Sequence, residues 1–165
     1  MLNIFRKNPK QAEPLPALKT PAAVPYDPGL VTALTHQHRS LTLLLVKASS
    51  AAQQGLYEEI KETLQQFKHE LAEHLKRETT ELHPYLSAHL KGDGSKEILK
   101  EMRASTTNIE RTLEGLINHY ASYPVTERNV ARFEIELSGV SDEFCAKLEQ
   151  EEASIYTLYL TPEAY

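Results

Sequence analysis

The chain has 165 residues, of which 41% are hydrophobic and 25% charged, and its formal net charge is −5. This length and composition suit a single globular domain. The lysines and arginines are scattered among acidic residues, which argues against a protein that binds nucleic acid through a basic stripe. No apolar run approaches the ~18 residues that a transmembrane helix needs. The one cysteine, Cys145, excludes an internal disulfide and suits a reducing compartment, so we expect a cytoplasmic protein.

Residues 1–27 are predicted to form a proline-rich arm. Six prolines fall between positions 8 and 28, a density that is typical of an extended, semi-rigid linker. The stretch MLNIFRK precedes them and places apolar side chains beside Arg6 and Lys7. It is either a frayed terminus, a weak membrane-surface contact or a docking peptide, and we expect any protein partner to bind through residues 1–25.

Four long helices are predicted after the arm. Asp27 followed by Pro28 is a favourable helix start, Gly55 interrupts the first helical pattern, Ser95 can cap the third helix and Thr126 can open the fourth. Short connections between long helices indicate an all-α, antiparallel up-down four-helix bundle over residues 28–160, followed by a tail at 161–165. The predicted helices are about 28–54, 57–89, 95–122 and 126–159.

Polar residues interrupt the core positions of all four helices. In a bundle, core positions recur at alternating steps of three and four residues. The interruptions lie in the first halves of helices one and three and in the second halves of helices two and four. Antiparallel packing therefore brings them to one end of the bundle. The predicted polar cluster contains His38, His74, Glu78, Thr106, Lys147 and Glu151; the same phasing also places Glu81, Tyr85, Ser154 and Leu158 at core positions.

This predicted cluster has two interpretations. A single polar residue at a core position is more often a tolerated core residue or a surface residue assigned to the wrong phase. A set that converges from four helices points instead to a metal site, because histidine and glutamate ligands in a bundle core suit iron, manganese or zinc.

Other candidate residues carry weaker signals. His36, His69, His89 and His119 fall off the core positions and are predicted at the surface. Cys145 is predicted as a buried, inert thiol. The tyrosines near the C-terminus either form an exposed patch for a partner or pack against the end of the bundle; they are Tyr156, Tyr159 and Tyr165.

Three stretches resemble the hemerythrin-like, HHE cation-binding family over about residues 30–160. They are LTHQHRSLTLLL in the first helix, HLKRETTELHPYL in the second and KLEQEEASIYTLY in the fourth. The resemblance implies metal ligands at His38, His74, Glu78 and Glu151, with the adjacent Glu152 as an alternative to Glu151. It places His83 where an apolar residue is common in the family.

The chain departs from the family pattern at two places. Thr106, followed by Glu110 one turn later, stands where the resemblance implies a histidine, and Lys147 stands where it implies another. We therefore hypothesise that Lys147 replaces one metal of a di-iron site, because an ammonium can neutralise the same carboxylates. The expected cofactor is then no metal or a single ion, most naturally iron, rather than a di-iron pair.

The resemblance and these departures favour a non-enzymatic regulatory, signalling or protein-interaction module with a degenerate metal site. The alternative is a metal-dependent sensor or carrier of oxygen or nitric oxide. An enzyme with redox or repair activity ranks last, because the sequence supports neither a second metal site nor a substrate pocket.

Overall fold

The computed structural model describes residues 24–165, which form the all-α, antiparallel four-helix bundle that the sequence predicts. Of the predicted arm, only residues 24–27 belong to this range, so the proposed docking peptide lies outside the described residues. Four helical rods make up the bundle, and the second and fourth each contain more than one helical segment. The α-helices are α1 (Leu30–Gln53), α2 (Tyr57–Arg77), α3 (His83–His89), α4 (Asp93–Ser122) and α5 (Val130–Gln150).

The rods surround one core in a closed ring. Helix α1 contacts α2 and α5, and α4 contacts the same two helices from the opposite side. Side-chain hydrogen bonds join neighbouring rods near the ends of the helices; the Tyr120 hydroxyl, near the end of α4, donates to Glu136 at 2.8 Å, near the start of α5. This arrangement gives each rod one apolar side facing inward. None of the described helices is both long and apolar enough to cross a bilayer.

Three of the four predicted helix starts differ from the structure by two to four residues. The fourth rod begins at Val130 rather than at Thr126, because residues 126–129 form a turn in which Asn129 Oδ1 accepts the Thr126 N–H at 2.6 Å. Helix α4 begins at Asp93, so Ser95 lies inside the helix and does not cap it. Asp93 suits the first turn, where a negative charge meets the positive end of the helix dipole.

The first helix begins at Leu30 rather than at 28, with Gly29 as its N-cap, so Asp27 and Pro28 precede the helix, whereas the predicted break at Gly55 agrees with the structure. The Asp27 side chain accepts the Gly29 N–H at 2.8 Å, directly before α1 begins at Leu30. Gly55 has a φ of 70°, a left-handed conformation that glycine adopts without steric cost, and it separates α1 from α2.

A π-helical segment interrupts both the second and the fourth rod. The first π segment is Glu78–Leu82 and joins α2 to α3; the second is Glu151–Ile155 and follows α5 directly. A π turn holds one more residue than an α turn, so it rotates the chain that follows it. Each segment begins at a buried glutamate, and the second and fourth rods therefore share one layout.

The π segments make part of the predicted core pattern wrong. Glu81, Ser154 and Leu158 are only partly buried, although a continuous α-helix places them in the core. The residues four and five positions beyond each buried glutamate are buried instead; they are Leu82, His83, Ile155 and Tyr156.

A polar layer divides the core into two apolar clusters. The larger cluster contains Leu41, Phe67 and Phe144, and the smaller one contains Leu34 and Tyr85. The C-terminal tyrosines belong to this smaller end of the bundle: Tyr156 and Tyr159 are buried and Tyr165 is half-buried, so they do not form an exposed patch. Tyr26, just before α1, stacks on Tyr159 with ring centroids 5.1 Å apart.

Candidate metal centre

Four buried side chains converge in the polar layer: His38 from α1, His74 from the end of α2, and Glu78 and Glu151 from the first residue of each π segment. One potential ligand atom of each residue lies within 4.8 Å of the corresponding atoms of the other three. All four side chains are at most 3% exposed. Three rods thus bring two imidazoles and two carboxylates to one enclosed point.

Both imidazole rings are oriented by side-chain oxygen atoms. His38 Nδ1 lies 2.8 Å from Glu152 Oε1, and His74 Nδ1 lies 3.3 Å from Gln37 Oε1. Because these oxygens accept hydrogen bonds, each Nδ1 carries the ring proton and each Nε2 presents its lone pair. In both rings this lone pair is directed into the cluster. A metal-binding histidine needs this tautomer.

The two glutamates each leave one oxygen without a partner. Glu78 Oε1 accepts a hydrogen bond from the Tyr156 hydroxyl at 3.2 Å, and Glu151 Oε1 contacts Lys147 Nζ. Among the described residues, Glu78 Oε2, Glu151 Oε2 and His74 Nε2 are buried with no hydrogen-bond partner. Buried polar atoms are normally satisfied, so this group of three requires an explanation.

Lys147 and Thr106 occupy the side of the cluster near Glu151. The Lys147 side chain is 4% exposed, and its ammonium forms an ion pair with Glu151 one turn further along the chain. The Thr106 hydroxyl donates to the Met102 carbonyl at 2.9 Å and lies 3.4 Å from Glu151 Oε1. A positive charge and a hydroxyl group therefore surround the oxygen of Glu151 that points away from the histidines.

The remaining candidates lie around the cluster rather than in it. Glu152 is 41% exposed and contacts the outer nitrogen of His38, so it orients a potential ligand instead of replacing Glu151. Glu110 is half-buried on the wall of a cavity between α2 and α4. Cys145 is half-buried rather than buried.

Of the four histidines that were predicted at the surface, three are exposed and one is not. His36, His69 and His119 are exposed, whereas His89 is half-buried and stacks on Tyr85 with ring centroids 4.1 Å apart. The prediction is therefore wrong for His89, because this ring packs within the smaller end of the bundle.

Sequence reasoning did not assign Tyr156 to the site. Its hydroxyl lies 2.9 Å from His38 Nε2 and 3.2 Å from Glu78 Oε1, and burial raises the pKa of this phenol. A single hydroxyl proton can satisfy only one of these two acceptors at a time. The spacing of Tyr156 five residues after Glu151 is a core spacing only across a π turn, so periodicity alone could not find it.

His83 was also given no role by the sequence, and it is 6% exposed on the next turn after the first π segment. Burial lowers its pKa to about 4, with a further contribution from the positive charge of Arg103. Burial likewise lowers the pKa of His74 to about 2 and lowers that of His38. The three buried imidazoles are therefore neutral at neutral pH, as metal binding requires of the two in the cluster.

Burial raises the pKa of Glu78 to about 7, and the nearby charge of Glu151 acts in the same direction. Lys147 and the Tyr156 hydroxyl oppose this shift but do not cancel it. Without a further cation, the polar layer thus holds a carboxyl group that is poised between its charged and neutral forms near pH 7.

Residues 29–159 match the model of a protein family described as the hemerythrin HHE cation-binding domain. The chain belongs to this family. Comparison with curated proteins and with solved structures finds no match. Membership gives the buried imidazoles and carboxylates a chemical context, since the description of the family is that of a cation-binding domain.

The side chains of this hemerythrin HHE domain fit one cation. The three unpartnered atoms of His74, Glu78 and Glu151 all belong to the converging group, and His38 Nε2 can join them when Tyr156 donates to Glu78 instead. Two imidazoles and two carboxylates are a ligand set that suits iron, manganese or zinc. On the other side of Glu151, Lys147 and Thr106 offer no lone pair comparable to that of an imidazole.

The charge of Lys147 can be tested by the substitution Lys147→Met in protein freed of metal by a chelator. Two buried carboxylates then lose their nearest positive charge, and we expect the free energy of unfolding to fall by about 3 kcal/mol. Urea denaturation measures the change. Lys100→Met is the control, because Lys100 is 76% exposed and pairs only with a surface glutamate; a similar loss in both variants would contradict a special role for Lys147.

The raised pKa of Glu78 makes the stability of the metal-free protein depend on pH. The unfolded chain releases this proton near 4.5, whereas the folded protein retains it up to about 7. Ionisation of Glu78 therefore costs stability as the pH rises from 5 to 8. We expect Glu78→Gln to gain about 2–3 kcal/mol relative to the unsubstituted protein over this range, as measured by urea denaturation. A difference that does not change with pH would contradict this assignment.

Proposed function

We propose that this hemerythrin HHE domain is a non-enzymatic regulatory or protein-interaction module with a degenerate metal centre. In this centre one cation is bound and Lys147 replaces a second. The observation that carries the proposal is the buried group of unpartnered ligand atoms beside a buried ammonium. His38, His74, Glu78 and Glu151 would hold the cation. Iron is the ion implied by the family resemblance, and when bound it supplies a redox-active Lewis acid.

Charge balance supports one cation rather than two. The polar layer contributes two carboxylates and one ammonium, all nearly inaccessible to water. One divalent ion leaves a formal charge of plus one in this layer, whereas two divalent ions leave plus three. Burying uncompensated charge is expensive in a protein interior, so Lys147 disfavours the second ion by its charge as well as by its lack of a lone pair.

The polar layer can alternate between two arrangements. Without a cation, Tyr156 donates to His38 Nε2 or Glu78 Oε1, and Lys147 remains paired with Glu151. If a cation were bound, His38 Nε2 would serve as one of its ligands and the hydroxyl of Tyr156 would donate to Glu78 instead. Binding of a cation would then change hydrogen bonds between the first, second and fourth rods, which is the kind of local change that a regulatory or interaction module can transmit.

A sensor or carrier of oxygen or nitric oxide is the second candidate. The favourable observation is a cavity of about 690 Å³ between α2 and α4, whose wall includes Glu78. Small molecules could approach the proposed cation through this cavity. A regulatory role and a gas-binding role share the same site, and both require that the site binds a metal.

Anaerobic titration with Fe²⁺ tests the proposal. We expect one equivalent to bind per chain and His74→Ala to weaken binding by at least 100-fold, because a ligand with its lone pair directed into the cluster is lost. His69→Ala is the matched control, since His69 lies on the same helix and is exposed. Equal binding of Fe²⁺ by both variants, or no binding by the unsubstituted protein, would contradict the proposal.

We expect the residues at positions 106 and 147 to set the number of metal ions that the domain binds. In the double variant Thr106→His/Lys147→His, two imidazoles replace a hydroxyl group and an ammonium, and Glu110 lies one turn beyond position 106 on α4. We expect the stoichiometry of bound iron to rise from one to two equivalents per chain, as measured by elemental analysis after dialysis. Two equivalents in both proteins would refute the replacement by lysine.

A further inference from the structure

A cavity between the second rod and α4 is lined mostly by side chains outside the proposed cation site, and it meets that site at Glu78. Its volume is about 690 Å³, within the range of small-molecule sites. The wall combines apolar, hydroxyl-bearing and charged side chains, and one end reaches Glu78. The wall includes Ala72, Leu75, Glu78, His83, Arg103 and Glu110.

His83 gives this cavity a buried hydrogen-bonding group. The ring is 6% exposed and lies on the cavity wall. Within residues 24–165, His83 forms no side-chain hydrogen bond. Its ring nitrogens are nevertheless not fully enclosed by protein, and the ring lines the cavity. A neutral imidazole in this position offers one N–H donor to a molecule inside.

Arg103 supplies a positive charge at the same cavity. One of its terminal nitrogens donates to Ser87 Oγ at 3.0 Å, which ties the guanidinium to α3 across the gap between the rods. In the described part of the chain, no carboxylate lies within ion-pair distance of Arg103, although Glu110 lines the same cavity. The remaining N–H groups of the guanidinium match the two oxygens of a carboxylate.

We propose that the cavity binds a small organic anion with one carboxylate, held by the Arg103 guanidinium and the His83 imidazole. Ala72 and Leu75 provide an apolar surface for the body of such a molecule. The wall carries Glu78 and Glu110 as well as Lys76 and Arg103, so its formal charge is balanced, which favours a monocarboxylate over a doubly charged phosphate. Because the cavity reaches Glu78, the ligand would lie beside the proposed cation, and this part of the inference rests on the proposed function.

The test follows the ring signals of His83 by nuclear magnetic resonance of protein labelled with ¹⁵N at histidine. The probe is sodium butyrate, and butyramide and inorganic phosphate are the comparison compounds. We expect butyrate to produce a saturable shift of these signals and butyramide to bind at least tenfold more weakly, because a hydrogen bond to a charged group is stronger than one between neutral groups.

Arg103→Gln is the diagnostic variant, and Arg111→Gln is its matched control on the exposed surface of the same helix. We expect the first substitution to weaken butyrate binding at least tenfold and the second to leave it unchanged. Equal binding by both variants, equal binding of butyramide, tighter binding of phosphate or the absence of a saturable shift would each overturn the proposal.

The titrations are done on metal-free protein and on protein loaded with Zn²⁺, which separates this inference from the proposed function. Butyrate binding that depends on Arg103 in the metal-free protein supports the cavity site, even if the chain fails to bind a cation. Cation binding without Arg103-dependent butyrate binding in either state overturns the cavity site and leaves the metal centre intact.

Discussion

The ion pair between Lys147 and Glu151 is the constraint on which the polar layer of this bundle depends. Both side chains are nearly inaccessible to solvent, so each charge needs the other. The pair fixes one oxygen of Glu151 and leaves the second 3.7 Å from His38 Nε2. It thereby divides the layer into a side with unpartnered ligand atoms and a side that is already neutralised. The proposal of a single cation follows from this asymmetry.

The two π segments explain how the second and fourth rods each direct an additional side chain inward beside the polar layer. Each begins at a glutamate of the cluster and adds a residue to the following turn. As a result, residues four and five positions beyond each glutamate both face inward: Leu82 and His83 in one rod, Ile155 and Tyr156 in the other. The extra inward position gives Tyr156 its contact with His38 and Glu78, and gives His83 its place beside the cavity.

The fold and much of the site could be predicted because both depend on regular α-helical spacing. His38, His74, Glu78, Lys147 and Glu151 precede the π segments or begin them, so a period of 3.6 residues places them correctly in the layer. Beyond those points the same period is only partly right: it placed Tyr85 in the core correctly, but it assigned Glu81 and Leu158 to the core in place of His83 and Tyr156. The role of Glu152 was equally hidden, because spacing cannot distinguish a ligand from a residue that orients one. The start of α4 was missed because its N-cap is Gly92, which has no capping side chain that spacing could identify, and that of α5 because Asn129 closes a turn at Thr126.

The most direct test of one cation beside a lysine is an anomalous difference map, at the iron absorption edge, from crystals of the iron-loaded protein. The account predicts one peak per chain, bounded by His38, His74, Glu78 and Glu151, with the Lys147 ammonium still paired with Glu151. Two peaks, or a single peak with Lys147 displaced from the polar layer, would contradict it.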